Sequence, residues 1–216
     1  MDAKEVIARR VARELRDGTL VNLGIGLPTM VAHYVPEGML VAFQSENGII
    51  GFGSRPPDGM EDPNLTDAGG GFISALPGAY AFDSATSFAL IRGGHLDMTV
   101  LGGLQVDERG HLANWLVPGK MVAGMGGAMD LVAGARRVII AMQHAAKGEA
   151  KIVPELTLPP TAARPVSLVV TDLAVIEPTP EGLVLREHAP GVSIDDILAL
   201  TTAKLILPAS IPEMRL

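Results

Sequence analysis

The chain has no cysteine among its 216 residues. That excludes disulfide cross-links, thiolate metal sites and a cysteine nucleophile. Aromatic residues make up only 4%, so the core must rest on aliphatic side chains. No apolar run approaches the ~20 residues that a membrane-spanning helix needs. Positive charge is also scarce: 17 Lys and Arg stand against 24 Asp and Glu, for a net charge of −7. This balance leaves no electrostatic footprint for nucleic acid, although a helix N-terminus can still hold a small anion. The opening stretch MDAKEVIARRVARELRDG lacks the apolar centre of a signal peptide and carries acids that transit peptides avoid. The expectation is a cytoplasmic protein with no membrane segment.

What is abundant is aliphatic and small. Hydrophobic residues reach 48% and there are 25 glycines, with a mean hydropathy of +0.32. The length suits one domain over residues 1–216, with buried strands under helices and an apolar surplus that calls for a further buried interface.

Ala3, Ile7, Val11 and Leu15 recur at helical spacing, one face of an amphipathic helix that Asp17-Gly18 stops. Thr19 to Leu23 reads as a buried strand running into Gly24-Ile25-Gly26-Leu27-Pro28, with Pro28 in the first turn of a helix to about Val35. A second strand spans Met39 to Gln44. Residues 51–71 are dense in Gly, Pro, Asp and Asn, and loops of this length tend to be functional or mobile. A strand is expected at Phe72 to Leu76, then a helix capped by Asp83 or Ser84 to Ile91. A strand at His95 to Leu101 and a hairpin within Leu104 to Trp115 follow. Next come a glycine-rich helix start at 124–129 and a buried strand at Arg136 to Gln143. The last third is predicted extended, with strands at Val166 to Thr171, Leu173 to Ile176 and Leu183 to Leu185. A final helix is capped at Ser193, and Leu205 to Leu207 forms a short tail. Strands separated by short helices predict an α/β fold with a mostly parallel sheet.

Five histidines show no metal-ligand spacing on any one element, so no metal site is expected. No serine sits in a GxSxG elbow. The run Gly124-Met125-Gly126-Gly127-Ala128-Met129 lacks the third spaced glycine of a dinucleotide fingerprint. It reads equally as a helix start offering N–H groups to an oxyanion or as a tight turn needing small residues. Among the acids, Asp83 reads as a helix cap, Asp97 as a strand residue and Asp130 as a first-turn acid favoured by the helix dipole. Glu46, in Ser45-Glu46-Asn47-Gly48 at the end of a buried strand, is a turn carboxylate or a group that meets a ligand beyond the strand ends. Asn22, inside the strand Leu20 to Leu23, either satisfies backbone or reaches Glu46 or a bound acyl group if the two strands are neighbours. Arg92 and Lys120 flank glycine turns and are read as solvated.

The stretches VNLGIGLPT, QSENGIIGFG, FDSATSFALIRGGHLDMTVLGGLQV, LANWLVPGKMVAGMGGAMDLV and TDLAVIEPTPEGL, taken in order, resemble the B (β) subunit of the 3-oxoacid CoA-transferases. The wording LVPGKMVAGMGGAMD is closer to the succinyl-CoA:3-oxoacid branch than to the 3-oxoadipate branch. The resemblance implies a CoA-transferase (NagB/RpiA-like) fold, with a mostly parallel sheet flanked by helices. It also implies a partner, the A (α) subunit of the CoA-transferase, in an (AB)2 heterotetramer. It makes Glu46 the nucleophile that carries a glutamyl-CoA thioester, sets Asn22 close to it and turns Gly126 and Gly127 toward the reacting carbonyl. Gly24, Gly26 and Gly124 then belong to loops near CoA. Coenzyme A is a substrate on this reading, and neither metal nor redox cofactor is required. Acyl-CoA hydrolysis is the alternative enzyme reading, and a non-catalytic binding module the alternative outside enzymes.

Overall fold

The computed structural model describes residues 1–119 and 125–216. Helix α1 (Ala3–Ala12) is capped by the Asp2 carboxylate, which accepts from the Glu5 amide. After β1 (Thr19–Leu23) the expected helix is present as a 3₁₀ helix, Leu27–Tyr34. At eight residues it is long for a 3₁₀ segment. Strands β2 (Val41–Ser45) and β3 (Ile49–Phe52) form an antiparallel hairpin, and β4 (Ala75–Ala81) pairs with β3. The strand expected at Phe72 to Leu76 therefore lies further along the chain. β4 holds Pro77 and Gly78, which its place as the outermost strand tolerates.

Asp83, not Ser84, caps α2 (Ser84–Arg92) by accepting from Thr86 N. β5 (Met98–Leu101) follows. The expected hairpin is β6 (Gln105–Asp107) with β7 (Leu112–Ala113). Next come α3 (Ala128–Gly134) and β8 (Arg137–Ala141). A small hairpin, β9 (Ala145–Ala146) and β10 (Glu149–Ala150), turns through Lys147 and Gly148, both at positive φ. β11 (Ile152–Val153) joins β6. β12 (Leu168–Val170), β13 (Ala174–Thr179) and β14 (Gly182–His188) pair antiparallel. α4 (Ile194–Ala199) carries a Ser193/Asp196 capping box. Leu205–Ile206, expected as a tail, is β15, paired with β14.

The main sheet has ten strands in the order β15-β14-β13-β12-β8-β5-β1-β2-β3-β4. Its centre, β12 through β2, is parallel throughout, and antiparallel hairpins extend it on both sides. Helix α1 covers one face, with Ile7 and Val11 among Val21, Val100, Ile139 and Val170. Helices α2, α3 and α4 cover the other, with Ile91, Leu131 and Ile197 among Leu101, Ile140 and Val169. Strands buried on both faces read as continuous apolar runs, which is why Arg136 to Gln143 was legible. From β1 the chain moves to β2 on one side, and β5, β8 and β12 add on the other. The topological switch lies between β1 and β5, where open α/β sheets bind ligands beyond the strand ends.

His144, fully buried after β8, packs between Thr171 and Thr201 hydroxyls at 2.9 and 2.8 Å. Burial lowers its pKa to about 4, against a smaller opposing pull from Asp172. The ring is held between two hydroxyls that are themselves bonded to backbone carbonyls, Thr201 donating to Ile197 O and Thr171 to Ala174 O, and its burial favours the neutral form. With the folded pKa below the unfolded value of 6.5, this stabilisation is complete above pH 6.5 and is lost as pH falls toward 4. The loss reaches roughly 3 kcal/mol. Denaturant titrations over this range should show the decline, and the His144 ring should titrate near the lower limit by NMR. A ring that titrated at the ordinary histidine value would contradict the assignment.

Candidate active site

β2 ends at Ser45 and β3 begins at Ile49, its antiparallel partner, so Glu46, Asn47 and Gly48 form a three-residue hairpin loop. Such loops call for a positive φ, normally glycine. Gly48 has φ +123°, donates its N–H to Ser45 O at 3.0 Å and accepts from Phe82 N. A Cβ there would lie 2.0 Å from Phe82 O. Glycine is therefore obligatory, and it sets the direction in which Glu46 leaves the sheet.

The half-buried Glu46 carboxylate accepts a hydrogen bond from Gly127 N at 2.9 Å. Gly127 is the cap residue of α3, and Gly126 before it has φ +56°. A Cβ on Gly127 would sit 2.7 Å from Glu46 Oε2, and one on Gly126 3.2 Å from Oε1. These glycines make room for the carboxylate itself. The place of α3 is fixed in its first turn and at its far end. Gly134 packs so closely on α2 that a Cβ would lie 2.1 Å from Ile91 O. Asp130 pairs with Arg92 at 2.6 Å, and the Arg164 guanidinium donates to the carbonyls of Val132, Ala133 and Ala135 at the helix end. Such a cation favours a helix C-terminus; Arg164 had no local sequence signal to mark it.

The loop over residues 53–74 is folded against this hairpin. Ser45 Oγ accepts from Ala68 N at 2.9 Å and Asn47 Nδ2 donates to Thr66 O at 2.7 Å. Asp67 Oδ1 accepts from Gly69 N and Gly71 N, which closes the loop tip.

Together these parts enclose a cavity of about 480 Å³ at the carboxyl ends of β1, β2 and β5. Its wall includes Leu23 and Gly24 after β1, Ser45 and Glu46 after β2, Leu101 to Gly103 after β5, and Met125 to Ala128 at the start of α3. Ile25, Ala68, Leu104 and Asn114 complete the rim. Glu46 is the one ionisable side chain among the described lining residues. The volume suits a small-molecule site.

Of the residues singled out from sequence, Glu46, Asn22, Gly24, Gly126 and Gly127 converge on this cavity. Gly26 caps the 3₁₀ helix and does not line it. Gly124 and Lys120 lie outside the described residues. Asn22 is 2% exposed and borders the cavity, but its amide N–H groups go to Gln44 O and Oε1 rather than to Glu46. Asp97 is structural, accepting from Leu20 N and Arg136, and Arg92 is paired rather than free. Ser45, Gln44 and Thr99 support the site through tertiary contacts. Only the polar character of Gln44 and Thr99 inside apolar strands marked them in the sequence.

The two glycine positions predict opposite behaviour. Gly48→Ala meets backbone and a forbidden φ and should destabilise by more than about 2 kcal/mol. Gly127→Ala displaces only the end of a flexible side chain, with an expected change within about 0.5 kcal/mol. Thermal and denaturant unfolding of the two variants separates these outcomes, and equal stabilities would contradict the geometry.

The coenzyme A transferase family model matches residues 4–200. The chain is 57% identical over 216 residues to the beta subunit of the acetate CoA-transferase of Escherichia coli K12, covering 100% of this chain and 99% of that one. It is 50% identical over 202 residues to the B subunit of the succinyl-CoA:3-ketoacid coenzyme A transferase of Helicobacter pylori 26695, covering 93% and 97%. In fold it is similar to a solved acyl-CoA transferase of Escherichia coli O157:H7, with a TM-score of 0.77 at 23% identity. That alignment covers 99% of this chain, which spans 43% of the solved one. On the family match, the identities and a fold that sets Glu46 in a cavity at the strand ends, the chain belongs to the coenzyme A transferase family as a β-type subunit.

Proposed function

We propose that Glu46 is the nucleophile of a ping-pong CoA transfer from an acyl-CoA to a 3-oxoacid. The observation that carries this reading is the Glu46 carboxylate, held by Gly127 N at 2.9 Å in a cavity whose described wall has no other ionisable group. A carboxylate needs no partner base to attack a thioester, unlike a hydroxyl. A Glu46 oxygen attacks the acyl carbonyl, the C–S bond breaks, and a mixed anhydride and CoA thiolate result. The thiolate attacks the glutamyl carbonyl and expels the donor acid, leaving a glutamyl-CoA thioester. The acceptor carboxylate then attacks that carbonyl and releases thiolate. Attack of the thiolate on the acceptor acyl group forms the new acyl-CoA and frees Glu46. The thioester's free energy is retained, and no metal or redox cofactor enters any step.

Each attack on Glu46 generates an oxyanion on the side chain that Gly127 N already holds. One such donor contributes about 3 kcal/mol to the transition state. Water competes for both intermediates, and the loop stitched down at Ala68 covers one side of the cavity.

For the donor, the sequence favours succinyl-CoA with acetoacetate as acceptor, and 3-oxoadipate is the alternative acceptor. Acetate as a further carboxylate substrate is favoured by the 57% identity to a relative named for acetate. The apolar wall of Leu23, Ile25, Leu104 and Met125 also favours it. We propose that an A-type CoA-transferase chain is the partner, in an (AB)2 assembly. In support, the relatives are named as beta or B subunits, and Ile25, Leu40, Met60, Tyr80 and Met129 are at least half exposed. Apolar side chains left in water in this number fit a surface awaiting a partner.

Mass spectrometry after addition of acyl-CoA to the co-expressed subunits should find CoA on the Glu46 peptide, and borohydride should then abolish turnover. Glu46→Ala should remove the adduct, and Gly127→Ala should lower kcat on the order of 100-fold while leaving folding intact. Turnover by Glu46→Ala would sink the mechanism. CoA release that is indifferent to acetoacetate would instead mark a hydrolase. The chain expressed alone should give no turnover; full activity from a monomer would contradict the partner proposal.

A further inference from the structure

One row of side chains under the cavity is polar where the rest of its sheet face is aliphatic. Thr99 on β5, Asn22 on β1 and Gln44 on β2 are register neighbours across three parallel strands. Side chains two apart on a strand share a face. Leu20 and Leu101, two residues from Asn22 and Thr99, pack in the cluster of α2 and α3, so the polar row faces those helices. Thr99, Gln44 and Ser87 of α2 are fully buried and Asn22 nearly so.

The four are joined end to end. Thr99 Oγ1 donates to Asn22 Oδ1 at 3.1 Å, and Asn22 Nδ2 donates to Gln44 Oε1 at 2.8 Å and to Gln44 O at 3.2 Å. Gln44 Nε2 then donates to Ser87 Oγ at 2.8 Å. All the donors run in one direction, so each bond polarises the next. Two residues beyond Thr99, Asn22 and Gln44 come Leu101 at the end of β5, Gly24 just past β1 and Glu46 just past β2, which all line the cavity. The row is thus the layer directly beneath the site. Aliphatic residues at these positions would match the rest of the face and avoid the desolvation cost of buried polar groups. What the polar row supplies instead is direction: each amide has one satisfied orientation, and β2 is tied sideways to β1 and upward to α2.

We propose that Thr99 and Gln44 are positioning residues for the transfer reaction, acting on Glu46 through this chain of hydrogen bonds. The proposal rests on the reading of Glu46 as nucleophile. Gln44 lies two residues before Glu46, and its clamp between Asn22 and Ser87 stops β2 from rolling or sliding. The Thr99 hydroxyl selects the Asn22 orientation that completes the clamp. Glu46 is thereby delivered to Gly127 and to the acyl carbonyl in one place. A misplacement of about 1 Å in a reacting group can cost on the order of 100-fold in rate.

The test is single-turnover formation of the Glu46–CoA thioester by the co-expressed subunits, beside steady-state kcat and KM for the acyl-CoA. Thr99→Val keeps the shape and loses the hydroxyl, and should slow thioester formation about 10-fold. Gln44→Met should slow it about 10- to 100-fold. KM should stay within about threefold for both, because ground-state binding is untouched. Combining the two should cost less than the product of the separate losses, as expected within one network. Thr99→Ser, which keeps the hydroxyl and loses the methyl, should recover at least half the wild-type rate; with Thr99→Val it carries the test if Gln44→Met fails to fold. Wild-type kinetics in Thr99→Val with a slow Thr99→Ser would assign Thr99 to packing and overturn the proposal, as would losses confined to KM. Absence of any Glu46 adduct in the wild type would overturn the nucleophile reading itself, and this proposal with it.

Discussion

The hydrogen bond from the Gly127 amide to the Glu46 carboxylate joins residues 81 positions apart, and much of the surrounding structure is a condition for it. On one side it requires β2 to end in a hairpin loop that aims Glu46 away from the sheet, which Gly48 permits through its positive φ. On the other it requires α3 to begin within reach, which the packing of Gly134 on α2 and the Arg164 cap arrange from the far end of that helix. Neither half is strained by the contact, because Gly126 and Gly127 carry no Cβ where the carboxylate lies. On the proposed mechanism, a donor held in this way needs no rearrangement when charge develops on the glutamyl oxygen.

The location of that bond follows from topology. Parallel strands wound in opposite directions from β1 leave a crevice at their carboxyl ends, and the cavity occupies it. The sheet beneath is not uniform. Away from the crevice both faces are aliphatic, with α1 on one and α2, α3 and α4 on the other. Under the crevice a hydrogen-bonded row replaces the aliphatic residues on one face. Non-directional packing sets how close the layers lie, whereas the directional bonds set where the strand ends point. A site that must hold one carboxylate in one place has use for the second kind of force.

Much of the chain's organisation is legible in its sequence. The central strands announce themselves as apolar runs bounded by glycine. The helix caps at Asp83 and Ser193 follow from local chemistry, whereas Glu46 stands out through the family resemblance of its Ser-Glu-Asn-Gly run. Errors gather where local and global preferences conflict. β4 contains Pro77 and Gly78, and only its place at the sheet edge makes them acceptable. β15 is two residues long and exists because β14 offers it a partner. The 3₁₀ helix differs from an α-helix by a hydrogen-bond shift that spacing alone does not reveal.

The family resemblance made Glu46 the nucleophile candidate, whereas the sequence by itself determined the aliphatic α/β class, the order of its elements and the absence of cysteine chemistry. These rest on side-chain type and short-range periodicity, which any local window of the chain contains. Tertiary structure alone decided what the glycines at 126 and 127 are for, that Arg92 is spent on Asp130, and that the Asn22 amide is directed to Gln44. Each depends on which distant segment comes to lie within about 3 Å, the range over which a hydrogen bond acts. Sheet order and helix packing set that distance, and no spacing along the chain encodes it.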